Sequence, residues 1–140
     1  MNLSARLTVA LHVLALLASM PDEALTSEFI AGSVNTNPVV IRRVMAHLRR
    51  AGYVRSQPGS GGGWKLVADP AAITLADVRR AVQEPSPFAL HSQQPNPACP
   101  VGHGIQQALV PLYNHAERAM EDQLAQTTIA TLLHSVQNPK

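Results

Sequence analysis

The stretch QPGSGGGWKL, from Gln57 to Leu66, decides how the rest of the chain reads. Pro58, Gly59, Gly61, Gly62 and Gly63 are turn formers, so the segment is a loop of wide conformational freedom. Such a loop cradles a phosphate, ends a helix, or makes the tip of a ribbon. A phosphate cradle needs a strand before the glycines and a helix after them, so that amide N–H groups and the helix dipole meet the anion. Here the glycines lead into Trp64-Lys65-Leu66-Val67, which is strand-like, and the order Gly-Lys-Ser/Thr is absent. Tyr53–Gln57 and Trp64–Val67 therefore read as two short strands joined by a glycine-rich turn, and a phosphate-cradling enzyme is disfavoured. The tip is either an ordinary flexible turn or a wing. In a wing, small residues such as Ser60 and Gly61 let the ribbon approach DNA closely, while Arg55 and Lys65 neutralise phosphates on its flanks.

What precedes the hairpin separates the two. Leu3 to about Ser19 reads as helix 1, with Ser4 near its start and Pro21-Asp22-Glu23 as its break. Thr26 or Ser27 caps a short second helix, and Glu28 suits its positive end. Asn37 caps a third helix, Pro38 fits its first turn, and Gly52 takes the left-handed position after its end. On that third helix Ile41, Val44, Met45 and Leu48 form one apolar face. At about 100° per residue the opposite face centres on Val39, Arg43, Ala46 and Arg50, with Arg42 and Arg49 on one flank and His47 on the other. No acidic residue occurs from Ser33 to Gln57, whereas a face kept only for solubility mixes signs. Helix, short helix, turn, basic helix and basic-flanked hairpin is the winged helix–turn–helix order, which brings the N-terminal end of the third helix to the major groove.

The remainder bounds this reading. A chain of 140 residues accommodates one compact domain plus an appended element, and with 46% apolar and 14% charged residues it can bury a core. Residues 1–80 carry nine Lys/Arg against five Asp/Glu, residues 81–140 two against four, so the positive charge is concentrated in the first half and points to a polyanionic partner. The opening apolar run imitates a secretory signal, but His12 interrupts it and it reads equally as a buried helix. The single cysteine, Cys99, excludes an intrachain disulfide and points to the cytoplasm. Thr74 caps a fourth helix, about Leu75–Gln83; five prolines make residues 85–100 irregular; long helices follow at about Ile105–Ala125 and from Thr127 or Thr128 to Gln137. The expected division is a DNA-binding domain over 1–84, a connecting segment with Cys99 over 85–104, and a helical dimerisation region over 105–140.

The chain from helix 1 through about Val82 also resembles the Rrf-two family of bacterial transcription regulators, most plainly over Leu25–Val82. The resemblance rests on the Asn-Pro-Val-Val-Ile-Arg-Arg start of the third helix, the Arg-Ala-Gly-Tyr-Val exit and the Gly-Gly-Gly-Trp wing, and Ala98–Gly102 is similar to the cysteine region of a YwnA-like branch. It implies a homodimer joined by the long C-terminal helix, bound to a palindromic operator and usually repressing. The sequence adds its own support: Ile105, Leu109, Leu112, Tyr113, Ala116, Ala119, Met120 and Leu124 make an apolar stripe too extensive for one small domain to bury, and Leu7, Leu11, Leu14 and Leu17 of helix 1 offer a face that could meet it between chains.

The expected roles follow. Arg42 and Arg43 read base edges, with Asn37 and Val39 beside them at the helix start; Arg49, Arg50, Arg55 and Lys65 hold phosphates; Ser27, Thr36, Ser60 and Gly61 touch the backbone. No catalytic residue is expected, and a Cys–His pair lacks an orienting acid. Cluster-binding relatives carry three cysteines where this chain has Cys99 alone, so no iron–sulfur cofactor is expected; a mixed site of Cys99 with His91 or His103 is a weak alternative. Cys99 is instead a candidate thiol sensor or a packing residue. A metal- or ligand-binding module of the same fold, without DNA binding, is the competing function.

Overall fold

The computed structural model describes residues 5–140, so the expected helix start at Leu3 and Ser4 lies outside the described residues. The elements run α1 (Arg6–Ser19), α2 (Ser27–Val34), α3 (Pro38–Arg50), β1 (Val54–Gln57), β2 (Gly63–Leu66), a 3-10 turn (Pro70–Ala72), α4 (Leu75–Ala81), α5 (Pro100–Leu124) and α6 (Ile129–Gln137). This is the mostly helical fold with one small hairpin that the sequence predicts. The apolar opening run is a core helix: Ala10, Val13, Leu14 and Leu17 are all buried among Ile30, Ile41, Met45, Leu48, Val78 and Val82.

The caps behave as their residue types dictate. Thr26 Oγ1 accepts from the Phe29 N–H at 3.0 Å, and Asn37 Oδ1 accepts from the Val40 N–H at 3.1 Å. Between them Asn35 takes the left-handed conformation, φ 66°, which ends α2 and turns the chain into α3. Strands β1 and β2 are antiparallel with Val54 opposite Leu66, Arg55 opposite Lys65, Ser56 opposite Trp64 and Gln57 opposite Gly63. Two glycines of the tip are sterically required. A Cβ on Gly62 would lie 2.1 Å from the Gln57 carbonyl oxygen, and one on Gly63, at φ 149°, would lie 2.5 Å from that of Leu25. The second contact exists because Leu25 bonds Trp64 in both directions, at 3.0 and 2.7 Å, and so ties the hairpin to the residue just before α2.

The C-terminal part departs from the expected division. The long helix begins at Pro100, five residues earlier than the sequence suggested, because Pro100 suits the first helical turn. Pro111 lies inside it, removing the N–H that Gln107 would otherwise receive. No residue of α5 is buried. Its ties to the rest are at its C-terminal half, where the nearly buried Arg79 of α4 pairs with Glu121 and, at 3.1 Å, with Glu117. Helix α6 then returns to the first domain: Leu75 donates to Thr127 O and Ile129 to Ile73 O, both at 2.9 Å, α6 packs on α1, and Ile129 is fully buried. The 105–140 block is therefore not one unit; α6 belongs to the core and α5 stands outside it. Likewise Leu14 and Leu17 lie inside their own domain, so only Leu7 and Leu11 of that expected intermolecular face remain partly accessible.

Candidate nucleic-acid interface

Helix α3 is fixed by its apolar side. Ile41, Val44, Met45 and Leu48 are buried, which forces Val39, Arg42, Arg43, Arg49 and Arg50 outward, and all five are exposed. The cationic face predicted from spacing thus exists as a surface. Thr36 is half-buried at the turn before it, and Asn37 is exposed, with its side-chain oxygen engaged in the cap.

Two of the arginines are not isolated. Arg42 Nη2 lies 2.9 Å from Glu28 Oε1 on α2, and Arg50 Nη2 lies 3.0 Å from His47 Nδ1. The first pair was illegible in a scan for acidic residues along Ser33–Gln57, because Glu28 comes from the preceding helix. It is well exposed on both sides, so it is worth little and can exchange for a stronger anion.

The hairpin presents two unlike faces. Trp64 turns to the body, where its indole Nε1 donates to Ser27 Oγ at 3.3 Å. That contact corrects the expected role of Ser27: its hydroxyl is an internal acceptor for the wing, Ser27 is 8% exposed, and it does not belong to the outer surface. Arg55 and Lys65, directly opposite each other, share the ribbon's other face. Like charges in this position repel and weaken a hairpin. Ser60 and Gly61 are exposed at the tip.

Cys99 caps α5, is exposed, and its thiol is held below the ordinary range by the amides of Gly102 and then Val101. None of the described residues covers it. His91 and His103 are exposed as well, and the His103 amide donates to the Cys99 carbonyl at 2.8 Å. Among the described residues no three His, Cys, Asp or Glu side chains converge on a metal-sized site. Among them, too, no helix is long and apolar enough to cross a membrane.

Residues missed by the sequence reading are Arg6 and His47, which join Arg43 and Arg50 around a cleft between α1 and α3. His47 was placed on the flank of α3 by its spacing, but nothing in the sequence says that α1 lies on that flank.

Comparison with known proteins bears on this surface. The sequence profile of the Rrf2 family, described as iron-dependent transcriptional regulators and the same Rrf-two family that the wing and third helix resemble, matches residues 3–135. YwnA of Bacillus subtilis, a proposed helix–turn–helix transcriptional regulator, is 44% identical over 133 residues, covering 94% of this chain and 97% of that one. A crystal structure of a proposed DNA-binding protein is 41% identical, covers 91% of this chain and 98% of that one, and superposes with a TM-score of 0.73. A proposed transcriptional regulator from Lactobacillus plantarum, 26% identical, covers 96% of this chain and 91% of that one with a TM-score of 0.81. The iron in the family's description finds no matching donor set here: one exposed cysteine cannot supply the four ligands, mostly thiolate, that a cluster takes. With its fold, its basic third helix and its wing in agreement, the chain belongs to the Rrf2 family of transcriptional regulators.

Proposed function

We propose that the protein is a homodimeric, sequence-specific DNA-binding repressor of the cytoplasm that works without an iron–sulfur cluster and responds to oxidation of Cys99. The observation that carries the reading is the pairing of two exposed cationic surfaces, in which, among the described residues, only Arg42 is ion-paired to a carboxylate, the exposed Glu28. These are the outer face of α3 and the Arg55–Lys65 face of the hairpin. A like-charged pair opposite one another on a ribbon is unfavourable in the free protein and becomes favourable against phosphates. Arg42 and Arg43, in the first half of α3, reach base edges beside Asn37 and Val39; Arg49, Arg50, Arg55 and Lys65 hold phosphates; Thr36, Ser60 and Gly61 contact the backbone. Arg42 leaves Glu28 to do so.

Dimerisation is supported by α5. Val101 is 70% and Leu112 61% exposed, and Ile105 between them on the same side of α5 is open too, a stripe that water does not favour. The same chain offers an apolar groove of about 550 Å³ between α1 and α6, lined by Leu11, Leu16, Leu132, Leu133 and Val136. Two chains joined through α5 present two α3 helices, which matches a palindromic operator.

The test is selection of bound fragments from the native genome by reduced protein, by peroxide-treated protein, and by a Cys99→Ser variant. Enrichment of inverted repeats by the reduced protein, lost on oxidation but kept by Cys99→Ser, is the expected result. Absence of salt-dependent DNA retention sinks the reading as a whole; a response to peroxide that survives in Cys99→Ser removes only the sensor.

A further inference from the structure

The cleft between the start of α1 and the flank of α3 borders the base-reading side of α3 at Arg43. It encloses about 510 Å³ over a floor that includes Val9, Val40 and Val44. Its polar walls are Arg6 of α1 and Arg43, His47 and Arg50 of α3, and no Asp or Glu is among the described residues that line it. Arg6 is anchored there because its Nη1 donates to Val82 O at 2.7 Å and Gln83 O at 3.3 Å, at the end of α4. The nearby Glu84 carboxylate is turned to the first turn of α1, where Oε2 accepts from the Leu7 N–H at 3.1 Å. Arg50 has only donors, so the 3.0 Å contact makes His47 Nδ1 an acceptor and the imidazole neutral, with its proton on Nε2. Burial, then the charges of Arg50 and Arg6, holds His47 below its ordinary titration range. Three guanidinium groups and a neutral imidazole around one cleft are a site built for an anion.

The geometry points to a phosphodiester site: the α1–α3 cleft seats a backbone phosphate of the duplex flanking the major-groove contact, held by Arg6, Arg50 and His47. This rests on the DNA-binding reading and extends it to a contact made by α1. The phosphate brings the negative charge that the cleft lacks. Arg50 turns from His47 to the anion, and His47 takes one proton from solvent and donates to the same phosphate. The imidazole thus holds its proton more tightly in the complex than in the free protein. The affinity gain is fully present below the free protein's titration and is lost as pH rises through that of the complex.

The test uses a labelled duplex of arbitrary sequence, because a phosphate contact is not sequence-dependent. The unaltered protein should bind tighter near pH 5.5 than near pH 8, by up to about tenfold per chain and about a hundredfold for a dimer, for each tenfold rise in the imidazole's proton affinity on binding. His47→Gln should lose that ratio, and His47→Arg should bind tightly across the range. Proton NMR of the His47 ring should show it titrating at higher pH in the complex. A full pH ratio in His47→Gln, with DNA binding intact, overturns the cleft and leaves the DNA-binding reading standing. An unmoved His47 resonance in the complex does the same. If millimolar inorganic phosphate alone shifts that resonance and the duplex does not, the site belongs to a free anion and the backbone assignment fails. If the unaltered protein binds no duplex at any pH, the DNA-binding reading fails and the assignment with it.

Discussion

Replacing Arg55 by Ala separates a DNA contact from a folding contact, because the two effects have opposite signs. On the proposed reading Arg49, Arg50, Arg55 and Lys65 supply four phosphate contacts per chain and eight per dimer. At about 0.9 counterions released per contact, log affinity should fall against log salt with a slope of about −7. Binding then weakens about ten-thousandfold between about 50 and 200 mM salt. Arg55→Ala removes two of the eight contacts, so the slope should flatten to about −5 and affinity near 0.1 M salt should drop roughly sixtyfold. The same change relieves the repulsion between Arg55 and Lys65, which face each other across the hairpin. The free protein should therefore be unchanged or stabilised, by up to about 1 kcal/mol. Fluorescence anisotropy over a salt series gives the slope, and thermal unfolding of the free protein gives the stability. A slope unchanged by the substitution would show that the ribbon does not meet phosphate. A loss of affinity accompanied by a lower unfolding temperature would show that Arg55 acts through the fold.

Three further outcomes follow from other parts of the molecule. Ile129→Ala should cost about 2–5 kcal/mol in urea unfolding monitored at Trp64, since Ile129 is fully buried in the N-terminal core; a loss near zero would return α6 to the dimer arm. Glu28→Gln should leave stability within about 1 kcal/mol and tighten DNA binding severalfold, because it releases Arg42 and removes a negative charge beside α3; weaker binding would mean that Glu28 positions Arg42 for its contact. Leu112→Glu should convert the dimer to a folded monomer in light scattering, as Leu112 is 61% exposed in the single chain; an unchanged mass moves the interface off this stripe.

From the end of α1 to Val82 the elements were legible because most boundaries have a local chemical cause. Thr26, Asn37 and Thr74 cap the helices they were expected to cap, and Thr74 and Asp77 bond each other's backbone N–H at 3.0 Å as a complete capping box. Buried and exposed faces of α3 follow from a period that side chains alone define. What stayed hidden depends on long-range packing. Ser27 reads as a polar surface residue until the wing folds over it and Trp64 needs an acceptor. Glu28 looks remote from Arg42, fourteen residues away, until α2 and α3 pack. Leu14, Leu17 and Ile129 are apolar at helical spacing, and spacing does not say whether the covering surface comes from the same chain or another. The start of α5 was placed late because Gly102 and Gly104 look like loop residues. Yet a Cβ at Gly102 would lie 2.5 Å from the Asn96 carbonyl oxygen, so there the glycine permits the preceding loop to close on the first turn of the helix.

The position of Cys99 changes how a thiol could act on DNA binding. Its place between the DNA-binding part and the long helix suggested a junction, where added bulk would directly alter the spacing of the two α3 helices. In the structure that junction is the α4–α5 contact, where Arg79 sits between Glu117 and Glu121 and α4 in turn touches α3. Cys99 caps the opposite end of α5, about 27 Å from Glu117 at 1.5 Å per residue. No residue between them is buried against the chain's own domain. The connecting segment touches this stretch where Phe88 stacks on Tyr113, ring centroids 5.4 Å apart, so a sulfenic acid at Cys99 has only a thinly packed route to its own recognition helix. Its effect must pass through whatever covers the exposed Val101 and Ile105 beside it, which on the dimeric reading is the second chain. Oxidation would then shift one α5 against the partner and change the spacing of the two α3 helices, while the Arg79 joint carries each α3 along with its own α5. That ordering makes a separable demand: a monomeric Leu112→Glu protein should still be oxidised at Cys99, but its residual half-site binding should no longer respond.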